Sequence, residues 1–235
     1  TQMSTLCASM EFKQDLARFP EGATELGLDK GDNAAAKRRL TDVTPAGIAA
    51  MRKVNAARIA QLKAIARPAG GMDRINSDTI LYVEESTRPI LELDIGGLDG
   101  FSPSPYVISP ITGAYQHIPV FLDTKHTVET RADADAYLAR LEAFAGMLDA
   151  NTDRFGHDVA QGVVPPDFLL DITLTQLGQL RVGTEQSGLV SSLDGRARAK
   201  GLGDGYGRDA ARLYEQKVGP ALDRQDAVEL DGALV

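Results

Sequence analysis

Between Arg131 and Gly162 the residues Ala134, Leu138, Leu141, Ala145, Leu148, Thr152, Phe155 and Val159 recur at spacings of 4, 3, 4, 3, 4, 3 and 4. That heptad-like period places all eight on one side of an α-helix, whereas in a strand they would scatter over both faces. Thr130 can accept the first free amides of such a helix, with Asp133 three residues on as the reciprocal partner. At about 1.5 Å per residue the helix spans on the order of 45–50 Å, enough to cross a whole domain. A chain that carries it must pack other elements along that seam.

The neighbouring segments are helical too. Thr5–Phe19 has Leu6, Met10, Lys13 and Ala17 along one side and is closed by Pro20. Glu21–Leu28 predicts a short second helix. Thr44 followed by Pro45 is a strong start signal, and Ile48, Met51, Ile59, Leu62 and Ala66 form a stripe that Asn55 interrupts. Met72–Glu85 continues the pattern toward Leu93, with Pro89 expected to end or kink it. Helices follow around Ile111–Leu122, Asp167–Val182, a short one ending at Gly201, and Arg208 toward Leu230, where Pro220 marks a kink or a fresh start. No strand pattern competes. The expected fold class is therefore all-α, a multi-helix array with one long central helix. Residues 1–235 read as one helical region with a possible sub-boundary in the irregular stretch 94–110.

The formal net charge of −8 disfavours nucleic acid and anionic membrane surfaces as partners. No apolar run approaches the roughly 20 residues of a membrane span. The single cysteine, Cys7, excludes an intrachain disulfide and a cysteine zinc site. The first residues show no charged stretch leading into an apolar one, so no leader is visible.

Familiar catalytic patterns are missing. His117, His126 and His157 lie too far apart for the i, i+4 pair that a helical zinc site needs, and no metal site is expected from this chain. There is no Gly-x-Ser-x-Gly elbow. The glycine-rich run 201–207 lacks the Gly-Lys-Ser/Thr of a phosphate loop and reads as a helix connector. Asp133, Asp135, Glu142, Asp149 and Asp153, together with Arg140 and Arg154, read as a solvated, salt-bridged face. The most unusual segment is 101–119, which gathers proline, glycine, Tyr106, Tyr115, Gln116 and His117. Phenol, imidazole and amide groups in a long loop suit substrate contact, or the loop merely covers the helices.

At this segment the chain resembles a family. Ser-Pro-Tyr-Val at 104–107, Thr-Gly-Ala-Tyr-Gln at 112–116 and Ile-Pro-Val-Phe-Leu-Asp at 118–123 are similar to the bacterial domain-of-unknown-function family 885. The likeness continues through His126, 133–141, Gly-Val-Val-Pro-Pro-Asp-Phe at 162–168 and Lys-Val-Gly-Pro-Ala-Leu at 217–222. Upstream it takes in 20–29 and 73–79. Members of that family are longer, are periplasmic or secreted, often as lipoproteins, and resemble helical zinc metallopeptidases.

The resemblance implies the N-terminal part of a helical zinc-peptidase-like cleft fold. Zinc and the His-Glu catalytic helix would be supplied by the C-terminal part of the same protein, because that signature does not occur here. No catalytic residue is carried over to this chain. Tyr115, His117, Tyr106 and Gln116 are the expected substrate-binding residues, with a peptide or oligopeptide as substrate in a carboxypeptidase- or dipeptidase-like reaction. Hydrolysis of another amide or ester is a weaker expectation, and a non-catalytic helical binding or scaffold protein is the alternative from another class.

Overall fold

A computed structural model describes residues 18–99 and 102–232. The helix expected over Thr5–Phe19 falls, but for its last two positions, outside the described residues, as does Cys7. The remainder is mostly helical: α1 (Pro20–Glu25), a 3-10 helix (Gly31–Arg38), α2 (Pro45–Ala64), α3 (Gly71–Glu92), α4 (Ala114–Thr124), α5 (Arg131–Ala160), α6 (Asp167–Leu180), α7 (Gly188–Ala199), α8 (Tyr206–Leu213) and α9 (Gly219–Gly232).

The expected start signals operate. Thr44 accepts from the Gly47 amide at 3.2 Å to cap α2. Thr130 accepts from the Asp133 amide at 3.3 Å while Asp133 accepts from the Thr130 amide at 2.8 Å, which closes both ends of a capping box on α5. Each such cap stabilises its helix by about 1 kcal/mol. The helical backbone runs on past Pro220 without a break. The chain widens into a π-turn over Tyr214–Val218, and α9 begins beside the proline. The wider turn accommodates a residue with no amide proton and a ring that collides with the preceding turn.

Helix α5 is the axis of the fold. It packs against α4, α7, α8, α9 and the 3-10 segment. On its seam Ala134, Leu141, Ala145, Leu148, Thr152 and Phe155 are buried, and Leu138 and Val159 pack at the margin. A second row, Tyr137, Arg140, Phe144 and Asn151, is buried as well, so α5 is covered on two sides. Burying each large apolar side chain contributes about 1.5–3 kcal/mol, which makes this helix the main source of core stability.

Two features differ from the sequence reading. The stretch 94–110 contains a small antiparallel pair, Gly97–Asp99 with Ser102–Ser104, where no strand was expected. It exists because α5 pins its base: Asp158 accepts from the Gly96 amide at 2.9 Å and Arg154 donates to the Gly96 carbonyl at 3.1 Å. Gly96 sits at φ +69°, where a side chain would run into the Ser104 carbonyl oxygen.

The second difference concerns Arg140, which is not on a solvated face but fully buried. Its guanidinium donates to the carbonyls of Arg39 (3.0 Å), Pro20 (3.2 Å) and Ala36 (3.2 Å), to Thr24 Oγ1 (2.7 Å) and to His126 Nδ1 (2.9 Å). It also lies 4.8 Å over the Phe121 ring. Because Nδ1 accepts, the proton of His126 resides on Nε2 and is donated to the Asp133 carbonyl at 2.9 Å. Burial, reinforced by the charges of Arg140, Lys37 and Arg196, pushes the His126 imidazole down to about 4, so it is neutral here. Burial also lowers the Arg140 guanidinium to about 10, which leaves it charged at neutral pH.

One buried acid lies at the far end of the core. Glu229 on α9 is 1% exposed, and its carboxyl oxygens accept no hydrogen bond of normal geometry among the described residues. Desolvation pushes it up to about 8, against a weaker downward pull from Gln225.

Arg140→Met is expected to cost on the order of 3 kcal/mol or more in urea unfolding, because it strands several buried acceptors at once. Arg140→Lys should recover little of this, since one ammonium cannot reach carbonyls on three sides. A loss below about 1 kcal/mol for the methionine variant would show that water replaces the guanidinium. Glu229 gives a pH signature. Its folded value of about 8 lies above the unfolded value near 4.5, so the folded state holds the extra proton and stability falls as pH rises through that window. Glu229→Gln should raise the melting temperature at pH 8.5 and leave it unchanged at pH 4. The gain at high pH is on the order of 3–5 kcal/mol. An equal effect at both pH values would rule out this titration.

Candidate functional site

The segment 106–117 is held by a dense set of short-range bonds before it becomes α4. Ser109 and Thr112 form an isolated antiparallel bridge, and their hydroxyls lie 2.7 Å apart. Thr112 also donates to the Tyr106 carbonyl at 3.1 Å. Gly113, at φ +106°, turns the chain into the helix. The first free amide of α4, that of Ala114, donates to Asn151 Oδ1 on α5 at 2.8 Å. A side chain of the central helix thus does what a local cap usually does. Val107, Ile108, Ala114, Ile118, Phe121 and Leu122 enter the core beneath.

The four expected substrate-binding residues are placed differently from one another. Tyr115 is 4% exposed and belongs to the core. Its phenol oxygen lies 2.7 Å from the Ser109 carbonyl and 2.8 Å from Gln176 Oε1, two acceptors that share its single proton. Burial, with a smaller contribution from Glu229, raises the phenol to about 12, so it keeps that proton and acts as a donor. Gln116 is half-buried. Its amide donates to the Pro110 carbonyl and to Gln176 Oε1, both at 2.7 Å. The structure therefore brings Tyr115 and Gln116 together on one atom, Oε1 of Gln176 on α6. His117 is exposed on the outer side of α4, and Tyr106 is half-buried at the start of the segment.

Close along the chain to these clamp residues stand apolar side chains that the body leaves in solvent. Ile111, beside Pro110, is 78% exposed, and Val120, one turn beyond Gln116, is 60% exposed. Phe168 and Ile172, two turns and one turn before Gln176 on the same row of α6, are 63% and 46% exposed. These exposed apolar side chains lie near, along the chain, a polar trio of Tyr115, Gln116 and Gln176 whose groups bond to one another. Sequence reasoning missed Gln176, Phe168 and Ile172. Their spacing of 168, 172 and 176 is a row of i, i+4 neighbours, but nothing local says that it faces solvent beside the 106–117 segment.

The three histidines remain apart in function. His126 uses both ring nitrogens in the core, and His157 bonds the Asp94 carbonyl at 3.0 Å. Among the described residues no three His, Cys, Asp or Glu side chains converge so as to hold a metal ion. These residues do not fit a zinc site, and no reaction step through zinc can be assigned to them. Nor is any described helix long and apolar enough to cross a membrane.

No curated protein matches the sequence. Among solved structures, the chain resembles one described as a lipoprotein from Colwellia psychrerythraea, with a TM-score of 0.86 and 18% identity. That likeness covers 98% of this chain and 40% of the other, so it shows a shared fold, and this chain spans two-fifths of that protein's length. The family model of bacterial proteins of unknown function DUF885 matches residues 20–230. With the match running from α1 almost to the end of α9, the chain belongs to the DUF885 family.

Proposed function

We propose that this chain is the N-terminal part of a zinc-dependent peptide hydrolase, in which it forms one wall of the substrate cleft. The catalytic metal and its ligands are held by polypeptide outside these 235 residues. The observation that carries this reading is the Gln176 clamp. Tyr115 and Gln116 fix one amide, and Ile111, Val120, Phe168 and Ile172, near the clamp residues along the chain, are exposed apolar side chains. A peptide offers apolar side chains to such a surface and backbone amides to such polar groups. His117 stands at the edge of that surface as the group best placed to donate to a substrate carboxylate. Tyr115 acts beneath it as a positioning residue, since its phenol is occupied by Ser109 and Gln176. The 40% share of the longer lipoprotein is consistent with a chain that supplies a wall while other residues supply the chemistry. A location outside the cytoplasm accords with that lipoprotein likeness.

In the complete protein, His117→Ala should lower kcat/KM for a short peptide about tenfold, in line with the loss of one charge-assisted contact of 1–2 kcal/mol. The melting temperature should change little, because the side chain is exposed. Tyr115→Phe should instead raise KM and lower stability by about 1 kcal/mol through the loosened Gln176 amide. Unaltered kinetics for His117→Ala would remove that residue from the site. A complete protein that hydrolyses no peptide, with or without added zinc, would favour a non-catalytic binding or scaffold role.

A further inference from the structure

Helix α3 is amphipathic in the wrong direction for the hairpin it belongs to. It runs antiparallel to α2, and the two are joined across their interface by polar groups. Asn55 donates to the Glu84 carbonyl (2.9 Å) and carboxylate (2.6 Å), and Arg58 pairs with Glu84 at 3.1 Å. Arg52 bonds the Leu91 carbonyl, Lys63 pairs with Glu85 at 2.7 Å, and Arg67 pairs with Asp78 at 2.6 Å. The side of α3 toward α2 is marked by Ser77, Glu84 and Leu91, which repeat every seven residues.

Measured from that side at about 100° per residue, Asp73, Arg74, Glu84, Arg88 and Glu92 fall on the half of the helix nearest α2, and Asp78 and Glu85 lie just past its edge, where they pair with Arg67 and Lys63. The sector beyond them, about 100° wide, carries no charge. It presents Met72, Ile75, Thr79, Tyr82, Val83 and Ser86. Met72 is 65%, Ile75 57%, Tyr82 71% and Val83 53% exposed. Six uncharged positions in register over about 21 Å form a continuous strip rather than scattered apolar residues. Among the described residues the extensive packing of α3 is with α2, so the body of the protein does not cover this strip.

We infer that the outer strip of α3 is a docking surface for the polypeptide that corresponds to the remaining length of the longer lipoprotein. This rests on the reading of the chain as part of a larger hydrolase. The likeness takes up 40% of that chain, which leaves 60% with no counterpart here, and an uncharged helix face with Tyr82 and Ile75 at its middle is what such a body would bury. Buried tyrosine and aliphatic anchors of this kind dominate the energetics of an interface. Asp78 and Glu85, paired with Arg67 and Lys63, stand at its rim.

The test uses this chain and the polypeptide encoded downstream of Val235, produced as two chains and mixed. The wild-type pair should co-elute, and Ile75→Asp with Tyr82→Asp should weaken the complex at least a hundredfold by titration calorimetry. The variant's own melting temperature should stay within about a degree of wild type, because both side chains are exposed. A complex that survives the double variant, a wild-type pair that never associates, or a reading frame that stops at Val235 would each overturn the docking surface. So would a wild-type chain that sediments alone as a dimer and becomes monomeric in the variant, which would assign the strip to a second copy. A complex that needs the strip yet hydrolyses no peptide would leave the docking surface standing and overturn the hydrolase reading.

Discussion

The buried guanidinium of Arg140 organises this molecule. A charge in the core is tolerated only where enough acceptors surround it. Here they come from three separated parts of the chain: the Pro20 carbonyl of α1, the carbonyls of Ala36 and Arg39 at the end of the 3-10 segment, and the imidazole of His126. None of these backbone oxygens could be buried at that depth without a donor. The arginine and the N-terminal segment therefore require each other. The same contact decides the tautomer of His126, and the other ring nitrogen of that histidine ties to the first turn of α5 at Asp133.

Asp133 extends the network to the surface. Burial pushes its carboxyl up, but Lys37, Thr130 and nearby backbone amides outweigh that and hold it down to about 2. It caps α5 and receives Lys37 from the 3-10 segment at the same time. One end of the long helix is thus locked to the N-terminal region by a cation inside and a carboxylate at the rim. Farther along, Asn151 and Asp158 take hold of the 94–114 stretch in the same manner, by accepting backbone amides that have no local partner. A single helix supplies the attachment points for segments on two sides of it.

What this scaffold leaves unpartnered is as informative as what it buries. Apolar side chains stand in solvent on α6 and α4 around the Gln176 clamp, and on the outer half of α3. The two surfaces differ in character. The first stands near the paired amides of Gln116 and Gln176 along the chain and suits a ligand that must be oriented. The second is uncharged and featureless in hydrogen-bonding terms and suits a protein surface. Burial of a strip of this kind is favourable in proportion to the apolar area removed from water, which gives it value only once something covers it.

Much of the helical order was legible in the chain. Thr44-Pro45, Thr130 with Asp133, and the 4-3 spacing from Ala134 to Val159 each act through neighbours within one or two turns, so their message survives without the fold. The expectation for Tyr106, Tyr115, Gln116 and His117 rested on side-chain type alone and carried no geometry. Which of four adjacent polar residues turns inward depends on what α6 offers opposite, and Gln176 lies about sixty positions away. Arg140 shows the same limit from the other side. By pattern it belonged with the acidic, solvated face, because all its acceptors but His126 lie 101 to 120 positions upstream and leave no local trace. The small strand pair escaped notice because its base is held by Asp158, 62 positions from Gly96. The amino-acid sequence by itself determined where helices begin, end and turn their apolar sides, since propensity, capping and periodicity are short-range effects. Only the tertiary structure decided which polar groups are buried, which residues meet at the clamp and which apolar faces stay open, because each depends on partners that distant segments bring together.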